Sequence, residues 1–419
     1  MGGYLAYTNY KDSGVEWLGE IPVHWMMSKA KFVSKIFIPQ RNKPELNTDG
    51  EGLPWLTMDD MSGDRVSNTS FKVSEESAVQ AGSRVLQKGS VVASCVGNFG
   101  VTAINEVDVI INQQLQAFIP TTIDSDYLRL TVSISSDYFK MRATAATIEY
   151  VNQAGFANIP LALPPIEEQR SIARFLDYKT AQIDALVAKK ETLLKKLAEK
   201  RTALISQAVT KGCDRTVPMK DSGIEWLGEI PAHWNVLQIK RAFVLQRGVD
   251  ITKEEQSEGE VPVVSSGGIF SYHDTAYAKA PGVIVGRKGT LGKVYYLEQD
   301  YWPHDTTLYV IHFYTNYPRF IYYKLLSMQL ETWDTGSANP TLNRNLIHPV
   351  KTPCPLVEEQ VQIVDYLDSV TTSINHQTET INLAIAKLKE YRTALITNAV
   401  TGKIDVRDVI LELEPVEAA

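Results

Sequence analysis

One stretch of this chain occurs twice and constrains everything around it. Ile166-Glu167-Glu168-Gln169 opens a run that closes with Arg201-Thr202-Ala203-Leu204-Ile205, then Ala208-Val209-Thr210. Val357-Glu358-Glu359-Gln360 opens a second run closing with Arg392-Thr393-Ala394-Leu395-Ile396, then Ala399-Val400-Thr401. Matching positions lie 191 residues apart without a gap. In the second copy Leu367, Ile374, Ile381, Leu388 and Leu395 recur every seven residues. The first copy carries Leu176, Ile183, Lys190, Leu197 and Leu204 at those places, with Leu186 and Leu193 beside them. A seven-residue apolar repeat rich in Lys, Glu, Ala and Leu, uninterrupted by Pro or Gly, predicts a coiled-coil helix roughly 65 Å long. One such helix cannot bury its stripe alone, and two copies in one chain supply each other's partner. A whole domain must then return the chain from the first helix to the second.

A second repeat confirms that the duplication is larger. Lys11-Asp12-Ser13-Gly14-Val15-Glu16-Trp17-Leu18-Gly19-Glu20-Ile21-Pro22-Val23-His24-Trp25 returns from Lys220 to Trp234, offset by 209. The two offsets differ by 18, so the segments between the repeats differ in length. The chain therefore reads as strap, variable head, long helix, and again strap, variable head, long helix. The expected boundaries are a strap over 1–25, a head over 26–163, a helix over 164–212, a strap over 213–234, a head over 235–354, a helix over 355–402 and a tail over 403–419. Two copies are too few for a solenoid; a pseudo-two-fold arrangement fits better. His24 and His233 stand alone, without a second metal-spaced ligand, and read as parts of a packed strap with the Trp residues as anchors.

The heads alternate short apolar strands with turn residues, which predicts an α+β class. In the first, Leu53–Met58 and Val91–Cys95 read as strands, Gly97–Gly100 as a turn, Val109–Leu115 as a further apolar run and Tyr127–Lys140 as a helix. Val283–Gly292 repeats the Gly97 turn at an offset of 192, and Trp302–Thr307 falls opposite Ile110–Leu115. Helices and straps are nearly identical twice, whereas the heads share a skeleton and differ in their loops. That layout suits two related readers that each read something different.

The search for catalysis is negative. Gly286-Arg287-Lys288-Gly289-Thr290-Leu291-Gly292-Lys293 fails the spacing of a nucleotide-binding loop. There is no Gly-rich cofactor fingerprint, no Asn-Pro-Pro-aromatic motif for amino-group methylation and no Ser–His–Asp or Cys–His set. Asp59 and Asp60 lack the Glu-x-Lys companion of a metal-dependent nuclease and read as a turn or helix start. Cys95, Cys213 and Cys354 are odd in number and in no ligand spacing, which argues for a reducing compartment without metal or disulfide. No run is apolar enough to cross a membrane, so the expected location is the cytoplasm.

Base reading needs Arg or Lys for guanine, Asn or Gln for adenine, and hydroxyls on exposed loops. In the first head Arg41, Asn42, Lys43, Asn98, Asn112, Gln113, Gln114, Asn152 and Gln153 supply these types. In the second they come from Ser265, Ser266, Arg287, Lys288, Thr290, His304, Asn339, Asn343, Arg344 and Asn345. A net charge of −7 counts against coating nucleic acid through bulk charge, but leaves room for local basic clefts.

Taken together, these motifs resemble the DNA-specificity subunit of type I restriction-modification enzymes over almost the whole chain. The carriers are the doubled Lys-Asp-Ser-Gly-x-Glu-Trp-Leu-Gly-Glu-Ile-Pro-x-His-Trp phrase, Pro164-Pro165-Ile166-Glu167-Glu168-Gln169, Pro355-Leu356-Val357-Glu358-Glu359-Gln360, and the doubled Arg-Thr-Ala-Leu-Ile and Ala-Val-Thr endings. Leu356 departs from Pro165 of the first copy. The resemblance implies two target-recognition domains, each reading half of a split double-stranded DNA site, and an antiparallel coiled coil that sets the gap. It also implies two methyltransferase subunits and a translocating restriction subunit as partners. S-adenosylmethionine, ATP and magnesium would belong to those partners, and this chain would bind no cofactor and catalyse nothing. The rival is an adaptor whose two heads bind proteins; a single-chain restriction enzyme would need motifs that are missing.

Overall fold

The computed structural model describes residues 4–48, 50–143, 149–333 and 340–409. It divides into two compact units, Met1–Ala188 with Ala384–Ala419, and Lys189–Leu383. Each unit combines one strap, one head and a part of each long helix.

In the first unit the strap folds as an antiparallel pair, Tyr10–Asp12 against Glu20–Pro22. Met26–Lys29 pairs with Pro160–Leu163, so the head leaves and re-enters through one two-stranded ladder. Within the head a five-stranded sheet runs in the order Ser34–Phe37, Leu115–Pro120, Val91–Ser94, Thr102–Asn105, Arg65–Val66. A smaller sheet orders Ile110–Ile111, Leu53–Leu56 and Phe71–Val73. Phe37, Leu56, Val92, Ala103, Ile111, Leu115 and Ala117 form the core of this head. The stretch from Val109 to Leu115 forms two strands with Asn112–Gln114 as the turn between them. The helix expected from Tyr127 to Lys140 is also two, Ser125–Ser133 and Ser136–Arg142. The Ser135 hydroxyl turns back to the Thr131 carbonyl at the break, the competition that Ser offers helical backbone.

The second unit repeats the plan. Met219–Asp221 pairs with Glu229–Pro231, and Asn235–Gln238 with Lys351–Cys354. A four-stranded sheet runs Val244–Arg247, Thr307–His312, Gly282–Gly286, Val294–Leu297, and a three-stranded sheet runs Gly268–His273, Val261–Ser265, Trp302–Pro303. The head helix is Pro318–Ser327, with Pro at its first position, where a missing N–H costs nothing.

The long helices are Ile166–Lys211 and Val357–Val400. Proline precedes each, and Gly212 (φ 77°) and Gly402 (φ 71°) stop them in the left-handed region that suits glycine. Leu176, Thr180, Ile183, Val187 and Leu197 are buried along the first, and Leu367, Thr371, Ile374, Ile385 and Leu395 along the second. Together with half-buried Leu204, Ile381 and Leu388 they follow the alternating four-and-three spacing of a seam. Leu186 and Leu193 do not join it; each sits one residue, about 100°, before a seam position and is exposed. In the first unit the early part of one helix and the late part of the other pack antiparallel, with Arg392 Nε donating to both Asp184 oxygens at 3.0 and 3.2 Å. Arg201 repeats Arg392 in the second unit, but Asn375 stands where Asp184 would, and the buried Arg201 Nε has no hydrogen-bond partner.

The Glu-Glu-Gln motif joins head, strap and helix. Glu168 accepts from Tyr7 Oη (2.6 Å) and Trp25 Nε1 (3.0 Å), and its other oxygen lies 2.9 Å from His24 Nε2. Glu359 likewise takes Trp234 Nε1 (2.9 Å) and sits 2.8 Å from His233 Nε2. Gln169 accepts the Asp124 N–H at the start of the head helix, as Gln360 accepts that of Tyr317. About two turns further on, Asp177 faces Arg129 and Asp368 faces Arg319. The strap tryptophans are thus buried as anchors, whereas His24 and His233 stay exposed and meet a carboxylate that the strap sequence alone does not reveal.

Candidate nucleic-acid interface

The loops singled out by their polar residues converge at one end of each head, through the same hydrogen-bonded joint. In the first head the Cys95 N–H donates to the Gln114 carbonyl (2.9 Å), and the Cys95 carbonyl accepts from the Val151 N–H (2.9 Å). Val96 bridges to Tyr150. In the second head Arg287 N–H donates to the Thr306 carbonyl (2.8 Å), its carbonyl accepts from Leu342 N–H (2.8 Å), and Lys288 bridges to Thr341. The Asn112 N–H donates to Leu56 as the His304 N–H donates to Val264. Asn152 and Asn343 both cap a short helix, accepting from Gly155 N–H and Asn345 N–H. One backbone frame therefore presents different side chains in the two heads.

In the first head Asn98, Gln113, Gln114, Asn152 and Gln153 are exposed on this frame and Asn112 is half-buried. Gln113 Nε2 donates to the Gln40 carbonyl (3.1 Å), which brings the exposed Arg41-Asn42-Lys43 loop alongside. Asn112 and Gln114 hold one another, Asn112 Nδ2 donating to Gln114 Oε1 at 3.2 Å and Gln114 N–H returning to Asn112 Oδ1. That mutual bond fixes the amide edges before any ligand arrives.

In the second head Ser265, Ser266, Lys288, His304, Thr306 and Phe270 line a groove of about 650 Å³. Arg247, Arg287, Asn343 and Arg344 line a neighbouring one of about 420 Å³. Burial, and then the nearby Arg247 charge, lower the Arg287 pKa; its cation is held where an anion would relieve it. Thr290 is exposed beyond the turn, and Asn339 lies outside the described residues. Asp250, His304 and Asp305 each bring a donor atom within 4.8 Å of the others. Arg247 already occupies the Asp305 carboxylate at 2.7 Å, and Thr306 Oγ1 lies 3.1 Å from His304 Nδ1.

Two glycines make the turns possible. A Cβ on Gly292 would sit 2.2 Å from the Glu331 nitrogen, and one on Gly100 would sit 2.9 Å from the Ser133 carbonyl oxygen. The Arg247 and Phe270 positions escaped the sequence reading, because neither belongs to a repeat; only their place beside the shared frame reveals them.

The model of the type I restriction modification DNA specificity domain matches residues 22–196 and again 231–386. The chain belongs to that family. Among specificity subunits of type I restriction enzymes, it is 22% identical to EcoprrI of Escherichia coli over 390 residues, 90% of this chain and 92% of that one. It is 23% identical to EcoBI of Escherichia coli over 62% of each chain. With MjaVIII of Methanocaldococcus jannaschii it shares 29% over 30% of this chain. The match spans less than two thirds of the latter two relatives, 62% and 28% of their lengths. The fold of this specificity-family chain is shared with a chain of a type I R-M system solved to explain complex assembly and conformational transition (TM-score 0.68, 12% identity, 92% of this chain and 99% of that one). It is shared as well with the HsdS subunit from Thermoanaerobacter tengcongensis (TM-score 0.53, 16% identity, 92% and 98%). Among the described residues no helix is long and apolar enough to cross a membrane.

Proposed function

We propose that this chain is the sequence-reading subunit of a type I restriction-modification complex. Each head reads one half of a split, asymmetric duplex site through the loops on its shared frame, and the paired long helices serve as the spacer. Methyltransferase subunits, two of them, and restriction subunits assemble on it; S-adenosylmethionine, ATP and magnesium serve those partners, and this chain itself performs no reaction. The single observation that carries the reading is the repeated joint, Cys95–Gln114–Val151 and Arg287–Thr306–Leu342. It supports the same docking of backbone in both heads with amide-rich chemistry in one and cationic, hydroxyl-rich chemistry in the other. Amides suit adenine and guanidinium suits guanine in the major groove, so the two half-sites differ.

The test is a genome-wide map of methylated adenine in cells expressing this chain with its methyltransferase subunit, compared with cells lacking it. A new motif of two short half-sites around a fixed gap is expected. A soluble, assembled complex that adds no motif refutes the reading and favours a protein-binding adaptor.

A further inference from the structure

We propose that Phe270 reads the C5-methyl group of a thymine in the second head's half-site; the assignment rests on the DNA-reading function proposed above. Gly268–His273 is the outer strand of its three-stranded sheet. Its register jumps: Ser271 faces Val263 and Ile269 faces Val264, so Phe270 is the extra, unpaired residue of a bulge. A bulge re-aims the side chain that it carries. Here Ile269 lines a separate cavity with Val294 and Tyr296, whereas Phe270 turns into the groove of Ser265, Ser266, Lys288, His304 and Thr306. Its ring meets the His304 ring edge-on at 5.2 Å between centroids, which steadies it, yet Phe270 remains 48% exposed.

The matching edge strand of the first head also carries an exposed phenylalanine, Phe71, but no bulge. There Phe71–Val73 pairs with Leu53–Trp55 in unbroken register, and the residue before it, Ser70, is bound to Asp60 at 2.9 Å. The bulge, and the re-aiming of Phe270 that it causes, therefore belong to what the second head reads and not to the common frame.

The phenyl ring is set among hydroxyls, an ammonium and an imidazole, with Pro340 as the other apolar side chain lining its groove. The surrounding groups are those that meet base edges and phosphates. In the major groove the apolar feature that a base edge offers is the thymine methyl, which apolar side chains contact. Closing the groove over DNA would bring ring and methyl out of water together. The second half-site then contains at least one A·T pair whose thymine is recognised by its methyl group.

The experiment uses the chain assembled with its methyltransferase subunit and duplexes carrying the mapped motif. The second head's half-site is the one that changes when second-head loops are exchanged. Each thymine in it is replaced in turn by deoxyuridine, which removes only the methyl. Binding is expected to weaken about fourfold at one position (~0.8 kcal/mol, the worth of one buried methylene-sized group). Phe270→Ala should be indifferent to that same replacement, and replacements in the other half-site should affect both proteins equally. If no thymine responds in the unaltered protein, or if the response survives in Phe270→Ala, the assignment is overturned while DNA reading stands. A uniform loss in Phe270→Ala with no deoxyuridine effect makes the ring a wedge between base steps and overturns it as well. A complex that yields no motif removes the functional reading, and this inference with it.

Discussion

Replacing Glu168 should release the first strap from its helix, and the geometry sets how far. The Glu168 side chain is only 6% exposed. Its Oε1 accepts from both Tyr7 Oη and Trp25 Nε1, and His24 Nε2 stands at the other oxygen. Burial, and then the bond to Glu168, raise the Tyr7 pKa far above its ordinary value, so the phenol remains a donor. Glu168→Ala strands two buried donors, each at about 1–3 kcal/mol, for a local loss of roughly 2–6 kcal/mol. Glu168→Gln keeps Oε1 in place for both donors and loses only the assistance of the charge, about 1 kcal/mol. Amide hydrogen exchange over residues 4–25 reads this directly as local opening. Protection should fall roughly 30-fold or more in the alanine variant and no more than about fivefold in the glutamine variant. Equal effects of the two variants, or an alanine effect below threefold, would refute the view that acceptor geometry rather than bulk packing holds the strap. The matching Glu359→Ala should be milder, because Glu359 is 27% exposed and the residue 209 positions after Tyr7 is Thr216.

Gly292→Ala places a Cβ 2.2 Å from backbone and should cost the second unit at least about 2 kcal/mol in denaturant unfolding. Gly97→Ala, with nothing within 4 Å of its Cβ, should cost only the left-handed backbone, about 1 kcal/mol. Arg287→Ala should weaken DNA binding by the assembled complex. A phosphate contact would lower the salt slope by about 0.9, whereas a base contact would cost about 1–3 kcal/mol at one base pair. Lys324 is buried and donates to the Val209 carbonyl at 2.7 Å, and desolvation pushes its pKa down to about 7. Between pH 7 and 10 the unfolded chain therefore binds more protons than the folded one, and stability should rise with pH by up to about 1.4 kcal/mol per unit. Lys324→Met should remove that rise in urea titrations across the range; a variant with the same pH dependence as the parent would show that Lys324 is not its source.

The organisation of the chain was legible wherever it repeats. The heptads placed Leu176, Ile183, Leu367 and Ile374 on buried seams. The offset of 192 matched Gly97 with Gly289, both at positive φ. What the sequence hid was pairing between segments far apart. Nothing local tells that Glu168 meets Trp25, 143 residues earlier, although an acid kept at the same step of both motif copies was a signal that it had a fixed partner. Helix interruptions were also missed, because Ser133–Ser136 carries neither Pro nor Gly and breaks through serine side chains instead. In the candidate interface the residue types were legible but their rank was not. Gln113, though exposed, spends its amide on the Gln40 carbonyl beside the Arg41 loop, while Phe270, apolar and therefore passed over, faces the groove through a bulge that alternation alone cannot locate.

The first unit is finished by the last part of the chain. Tyr10 Oη donates to the Gly402 carbonyl and Lys403 Nζ to that of Glu20, Leu5 bridges to Asp405, and Tyr127 Oη, donating to the Ala162 carbonyl at 2.7 Å, lies 3.2 Å from that of Val400. On a ribosome moving at about 5–20 residues per second, the N-terminal strap waits on the order of 10–40 s or more after its own synthesis for these partners. Residues 189–383 emerge during that interval. A premature stop anywhere in the second half would then be felt at the opposite end of the message, in a strap whose own codons are intact.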